Sequence, residues 1–174
     1  MCQVIASLSA STGAAFVVTL NIDVELDELV LDSADAMLNM TRDLTLNVSG
    51  TNRAGTFSQN GRTVSGAGSF TNEDRYLIGG NAALSLAAFN NTGTLAIEGR
   101  PGLGATSNFG ATPLNNTGTV NLTSTVNANG AATILADLVT NDGIFNVELG
   151  SSTARTVRVL DFQNNGDIHA PATT

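Results

Sequence analysis

The chain has 174 residues, of which 42% are hydrophobic and 13% are charged. This length and composition correspond to one domain able to bury a core, and they exclude a wholly disordered polymer. Fifteen acidic residues outnumber seven basic ones, all of them Arg, so the net charge is −8 and neither nucleic acid nor an anionic membrane is an expected partner.

The first 15 residues are predicted to form a lead-in strand or an N-terminal cap. They lack the basic segment that precedes the apolar stretch of a secretory signal, and the apolar stretch 14–20 is too short to span a bilayer. We therefore expect no membrane span, a single domain over residues 16–170, and a short tail at 171–174.

The first clear strand begins at Phe16. Apolar residues alternate with polar ones from there to Asp27, which is the pattern of a strand with one buried face. Shorter apolar segments follow at 29–31, 38–40 and 44–48. The segment 81–89 is rich in Ala but also alternates, and we interpret it as a strand.

The second half of the chain contains an internal repeat. The unit has an apolar residue, a corner containing Asn-x-Gly or its equivalent, and two apolar residues two and four positions after the Gly. It occurs at 89–97, 114–122, 139–147 and 162–170, with weaker copies starting at Phe57 and Phe70. A motif that returns every 20 or so residues is typical of a solenoid.

The unit predicts a coiled sheet in which equivalent residues lie one above another. Asn and Gly tolerate a left-handed backbone, so we expect positive or otherwise restricted φ at the corner glycines and ladders of stacked asparagines. The predicted corners are Asn91, Gly93, Asn116, Gly118, Asn141, Gly143, Asn164 and Gly166. The predicted inward stack is Phe89, Leu95, Ile97, Leu114, Val120, Leu122, Val139, Phe145, Val147 and Phe162.

The predicted fold is therefore an all-β, right-handed parallel β-helix, or β-solenoid, of roughly six to eight coils, since each coil takes about 20–25 residues. The alternative is an antiparallel β-sandwich, in which each Asn-x-Gly would be a hairpin turn.

On residues 18–32, 44–50 and the units at Asn91, Asn116 and Asn141, the chain resembles the right-handed parallel β-helix regions of bacterial surface proteins such as autotransporter passengers. The resemblance covers roughly residues 16–170. It implies a secreted or cell-surface repeat protein and is not specific for any activity.

Candidate chemistry is confined to an acidic strand. Asp23, Glu25 and Asp27 alternate outward, so neighbouring carboxylates lie about 6.6–7 Å apart. Such oxygen-rich groups suit Ca²⁺, and carboxylates at this separation suit glycoside hydrolysis. The chain has no Lys to act as a base and no Trp to stack on a sugar, so a solvated polar face is favoured and no cofactor is expected, with Ca²⁺ as the alternative.

The sequence thus predicts a non-enzymatic extracellular structural protein, either a cell-surface or a filament-forming β-solenoid. We expect it to self-associate end to end or laterally, because strands at the ends of a solenoid have edges that can pair with another chain. The alternative function is binding or degradation of carbohydrate. The sequence leaves the source and any adhesion partner open.

Overall fold

The computed structural model describes residues 5–9, 13–99, 105–124, 131–148 and 154–170. The regular structure in these residues is entirely β. The strands are β1 (Ile5–Leu8), β2 (Phe16–Leu20), β3 (Val24–Met40), β4 (Leu44–Asn60), β5 (Thr63–Ser65), β6 (Ser69–Asn72), β7 (Arg75–Gly79), β8 (Asn81–Ser85), β9 (Ala88–Asn91), β10 (Thr94–Gly99), β11 (Ala105–Gly110), β12 (Leu114–Asn116), β13 (Thr119–Ser124), β14 (Ala132–Asn141), β15 (Ile144–Val147), β16 (Arg155–Asn164) and β17 (Asp167–His169).

These strands stack in parallel on three faces of a solenoid with about seven turns. Face 1 contains residues 5–8, 28–31, 49–52, 69–72, 88–91, 114–116, 139–141 and 162–164. Face 2 contains residues 16–20, 36–40, 56–60, 75–79, 94–99, 119–124, 144–147 and 167–169. Face 3 contains residues 24–26, 44–46, 63–65, 81–85, 105–110, 132–136 and 155–159.

The parallel register confirms the predicted β-solenoid. Every strand pairing in the described residues is parallel, whereas a sandwich built on hairpins would pair consecutive strands antiparallel. Parallel pairing places equivalent residues of successive coils side by side, so each position of the repeat becomes a column running along the axis. The weak copy of the repeat that starts at Phe57 is out of register with the other copies, which start on face 1. Phe57 lies on face 2 beside Tyr76. The face 1 residue of this coil that pairs with Phe70 is Gly50.

The core is a continuous apolar column inside the coils. In its middle, aromatic rings from successive coils contact one another: Phe57 stacks on Tyr76 with ring centroids 4.8 Å apart, and Phe70 stacks on Phe89 at 5.6 Å. Gly50 lies beside the Phe70 ring, and a Cβ at Gly50 would lie 2.6 Å from that ring. The small residue therefore leaves the space that the aromatic ring fills.

Candidate functional site

Six asparagines form a hydrogen-bonded ladder along one inner corner of the solenoid, where face 1 ends. In each step the Nδ2 of one Asn donates to the Oδ1 of its counterpart in the next coil, at 2.6–2.9 Å. The members are Asn52, Asn72, Asn91, Asn116, Asn141 and Asn164. Because five of them are buried and Asn164 is exposed, the ladder is interior over most of its length and reaches solvent at the last coil.

Each ladder amide also holds its own corner. Nδ2 of Asn116 donates to the carbonyl of Gly118 at 3.3 Å and to the carbonyl of Ile144 in the next coil at 3.2 Å. Asn91 and Asn141 make the equivalent pairs of bonds. A single side chain therefore links the strand before the corner, the corner and the following coil. The corner carbonyls of Gly93, Gly118 and Gly143 also accept a backbone N–H from the next coil, so the amide adds a second bond at each of them.

The repeat pattern in the sequence includes Asn72 but not Asn52. Asn72 lies in the weak copy that starts at Phe70, whereas Asn52 was missed. Asn52 precedes Gly55 by three positions rather than two, and its strand carries Gly50 where later coils have an apolar residue. The signal that finds Asn52 is the coil length of about 20 residues, which aligns it with Asn72.

The corner glycines are required for a different reason from the one predicted. Positive φ occurs at Gly13, Gly55, Gly61, Gly66, Gly80 and Gly110, and this set does not include Gly93, Gly118, Gly143 or Gly166. A Cβ on Gly118 would lie 2.2 Å from the carbonyl oxygen of Gly93, and one on Gly143 would lie 2.2 Å from that of Gly118. Positive φ, one of the two alternatives predicted for these glycines, was wrong: close packing of one corner backbone on the next excludes any side chain.

The ten residues of the predicted inward stack all face the interior. Phe89, Leu95, Ile97, Leu114, Val120, Leu122, Val139 and Phe145 are buried. Val147 and Phe162, which lie in the last two coils, are half-buried and pack against the same core. Burial of the column therefore decreases towards the C-terminal end of the described solenoid.

The acidic strand contacts backbone and amide donors of the next coil. Oδ1 of Asp23 accepts from the backbone N–H of Asp43 at 3.1 Å, and Nδ2 of Asn47 donates to Oε1 of Glu25 at 3.0 Å and to Oδ1 of Asp27 at 3.4 Å. Within the described ranges, no group of three or more His, Cys, Asp or Glu side chains is arranged to hold a metal ion. Glu25 and Asp27 lie in β3 and share Asn47 as a donor, whereas Asp23 precedes the strand and binds Asp43, so the three candidate calcium ligands do not converge as one group.

A buried polar pair lies within the aromatic core. The Tyr76 hydroxyl donates to Oε1 of Gln59 at 2.8 Å, and Nε2 of Gln59 donates to the carbonyls of Arg62 and Ala83 at 2.5 and 3.0 Å. Burial raises the pKa of Tyr76 well above its usual value because the phenolate would be desolvated. The pair satisfies its own hydrogen bonds and has no access to solvent, so its role is structural.

Two adjoining grooves follow the outside of face 3. One, of about 500 Å³, is lined by residues that include Asn108, Asp137 and Arg158, and the other, of about 330 Å³, shares Asn108 and Gly110 with it. The described part of the chain has no helix with the length and apolar character needed to cross a membrane.

These features define the class of protein: a parallel β-solenoid whose coils are joined by an asparagine ladder and an apolar column. Comparisons of the chain with protein-family models, with curated proteins and with solved structures found no match.

Proposed function

We propose that this chain is a non-enzymatic, extracellular structural protein that acts as a self-associating scaffold at a cell surface or in a filament. The observation that carries the proposal is the asparagine ladder, which repeats one hydrogen-bonded contact from coil to coil over six coils. A structure in which each coil contacts its neighbours through the same groups provides length and rigidity, which is the role of a spacer or fibre.

The distribution of chemical groups supports a structural role. The acidic side chains of Asp23 and of the first residues of β3 bind donors of the adjacent coil, and the Tyr76 hydroxyl is buried in the core. Many polar side chains of the described residues thus form hydrogen bonds between one coil and the next. The resemblance to bacterial surface β-helices, autotransporter passengers among them, favours an extracellular location and a bacterial source.

Electron microscopy of the purified chain over a range of concentrations tests the scaffold function. We expect filaments or other ordered assemblies that become more abundant as the concentration rises. Monodisperse particles of one chain at every concentration would contradict self-association. A screen for reducing ends or unsaturated products released from acidic and neutral polysaccharides tests the absence of enzymatic activity. Activity lost on Asp23→Ala or Glu25→Ala would overturn the structural proposal.

The alternative function is binding of an extended carbohydrate, and the grooves along face 3 favour it. Amide, carboxylate and guanidinium groups of Asn108, Asp137 and Arg158 lie in one groove that runs past several coils. Such groups bind hydroxyl-rich chains through hydrogen bonds. A glycan array would detect this binding, and Asn108→Ala should weaken it, whereas Asn121→Ala on face 2 should not.

A further inference from the structure

The C-terminal coil presents an open strand edge with exposed apolar residues. Among the described residues, β16 pairs with β14 alone and β17 with β15 alone. Val157 is 38% exposed and Ile168 49%. Val157 pairs with Ile134, which is buried. Ile168 belongs to the inward column of face 2, where its counterpart in the previous coil, Phe145, is buried. The core column therefore continues to the last described coil and is uncovered there.

The N-terminal end has the complementary feature, an apolar hollow. Within the same described ranges, β1 and β2 pair with β3 alone. Between them lies a cavity of about 310 Å³ whose lining is almost entirely apolar. Its walls include Leu8, Val18, Leu20 and Leu26. One end of the solenoid thus has an uncovered apolar column, and the other has an apolar hollow on the same axis.

We propose that the C-terminal coil of one copy stacks on the N-terminal strands of a second copy, so that the chains associate head to tail. This inference rests on the proposed scaffold function and specifies its partner, a second copy, and its direction. The parallel register of the chain determines which residues meet: β16 adds to β1 on face 1, and β17 adds to β2 on face 2. Phe162 then lies beside Ala6, Asn164 beside Leu8 and Ile168 beside Val18, each pair in one column.

Side-chain sizes at this junction follow the alternation with which the face 1 column begins. The face 1 column begins with Ala6, Leu29, Gly50 and Phe70, so small residues separate large ones. Phe162 placed before Ala6 continues the alternation. Such pairing of large with small residues allows stacked layers to interdigitate without a void.

The end of the asparagine ladder can also be satisfied at this junction. Nδ2 of Asn164 donates to the carbonyl of Gly166 at 2.9 Å. Its counterparts Asn116 and Asn141 also donate to the backbone carbonyls of Ile144 and Asp167 in the next coil. The equivalent of those carbonyls in a second copy is that of Val17, because Val17 begins the same column of face 2. The Leu8 side chain then ends the ladder without leaving an amide hydrogen unpaired.

Charge along face 3 favours the same direction. Asp23, Asp43 and Thr63 follow one another in successive coils. Oδ1 of Asp23 accepts the backbone N–H of Asp43, and Oδ1 of Asp43 accepts the backbone N–H of Thr63. The column continues from Thr63 to Arg158 in the last coil. One column therefore carries carboxylates near the N-terminal end and an exposed guanidinium at the C-terminal end. Head-to-tail stacking brings opposite charges towards each other, whereas joining two like ends brings like charges together.

The test uses two full-length variants, each blocked at one end. Ile168→Asp places a carboxylate on the C-terminal edge, and Val18→Asp places one in the N-terminal hollow. Analytical ultracentrifugation should show each variant alone as single chains of 17.8 kDa. A 1:1 mixture should form a discrete dimer of twice that mass, because one free C-terminal end then meets one free N-terminal end. Wild-type protein should form longer species under the same conditions.

Matched controls keep the test independent of folding. His169→Asp and Val17→Asn change the adjacent residues, which are exposed and point outward, and should leave association unchanged. Asn is used at position 17 because this position lies in the same column as Asp167 of the other copy, where a second carboxylate would itself repel. Circular dichroism must give the same β spectrum for all variants. If Val18→Asp does not fold, Ala6→Glu serves as the N-terminal block. The double variant Arg158→Asp with Asp23→Arg keeps the net charge and should associate within a factor of three of wild type, while either single change weakens association at least tenfold.

The outcomes separate this inference from the scaffold function. If one blocked variant dimerises alone, like ends join and the head-to-tail direction is wrong, although self-association stands. If both blocked variants assemble as wild type does, association is lateral and the inference is overturned. If wild type is a single chain at every concentration, the scaffold function fails with it.

Discussion

Leu31 lies directly beside Asn52 in the parallel register, and this pair marks the start of the asparagine ladder. Among the described residues, the buried Oδ1 of Asn52 accepts no hydrogen bond, because its neighbour in the preceding coil is apolar. Every later member of the ladder accepts at this atom from the preceding Asn. A buried acceptor without a donor costs about 1–3 kcal/mol.

The first prediction is that Leu31→Asn costs less than the same change at Leu29. Both leucines are buried in β3, and either change loses about 1.5–3 kcal/mol of apolar burial. At position 31, the new Nδ2 can donate to the free Oδ1 of Asn52, whereas Leu29 lies beside Gly50, which offers no side chain. Urea unfolding should show Leu31→Asn to be the more stable variant by about 2 kcal/mol. Equal losses of stability in the two variants would show that the unpaired Oδ1 of Asn52 does not destabilise the fold.

The second prediction concerns the interior of the ladder. Asn116→Ala removes the acceptor of Asn91 and the donor to Asn141, both buried. We expect a loss of about 3–5 kcal/mol, since two buried polar groups lose their partners. The control, Asn121→Ala, changes an outward side chain whose half-buried Oδ1 accepts from Asn146 at 2.8 Å, and should stay within about ±0.5 kcal/mol.

The ladder prediction also has a position dependence. Asn164→Ala alters the exposed end, where water can replace the lost contacts, and should cost about 1 kcal/mol. Chemical denaturation of the three variants measures the order Asn116, Asn164, Asn121 from most to least destabilising. A larger effect at Asn121 than at Asn116 would mean that the inward and outward faces have been exchanged.

The third prediction separates two uses of glycine. Gly118→Ala introduces a Cβ that would lie 2.2 Å from the backbone oxygen of Gly93, so the coils must separate, and we expect a loss of about 3 kcal/mol. Gly110 has a φ of 50°, but a Cβ there would meet nothing closer than 3.8 Å. Because Asn tolerates the left-handed region, Gly110→Asn should cost about 1 kcal/mol or less. Thermal unfolding of the two variants provides the comparison, and a reversed order would place the tight contact at Gly110.

The parts of the fold that the sequence predicts are those encoded within one repeat. The alternation around Leu95 and Ile97 and the recurring Asn-x-Gly indicate inward columns and a ladder, because each depends on a few neighbouring residues. What the sequence did not predict depends on contacts between coils. The steric requirement at Gly118 comes from Gly93, 25 residues earlier, and the misassigned Phe57 shows that a local match cannot identify the face on which a strand lies.

In the candidate site, too, the sequence predicts local features but not contacts between coils. Spacing predicted Asp23, Glu25 and Asp27 on one face of a strand, whereas β3 begins only at Val24. Spacing also could not show that their partners are groups of the next coil. The two ends of the solenoid are also invisible to a search for motifs. Leu8 and Ile168 carry no signature of their own, and their importance follows from the register that aligns them with the columns.

The last prediction uses Tyr76, the one tyrosine in a chain that has no lysine. Burial raises its pKa in the folded state above the unfolded value of about 10. The folded state then holds the phenolic proton more tightly than the unfolded state does. The associated stability is complete below pH of about 10 and is lost as the pH rises from there towards the folded pKa, by up to about 1.4 kcal/mol per pH unit.

Tyr76→Phe should abolish this alkaline dependence, because no phenol remains to ionise on unfolding. At neutral pH the same variant should lose about 1–3 kcal/mol, since Oε1 of Gln59 loses the hydrogen bond from the hydroxyl. Denaturant unfolding between neutral and strongly alkaline pH measures both effects. In the wild type, tyrosinate absorbance should rise together with the loss of the β signal in circular dichroism, as ionisation requires opening of the core. A tyrosinate signal that appears while the β signal is intact would show that Tyr76 is accessible to hydroxide in the folded protein.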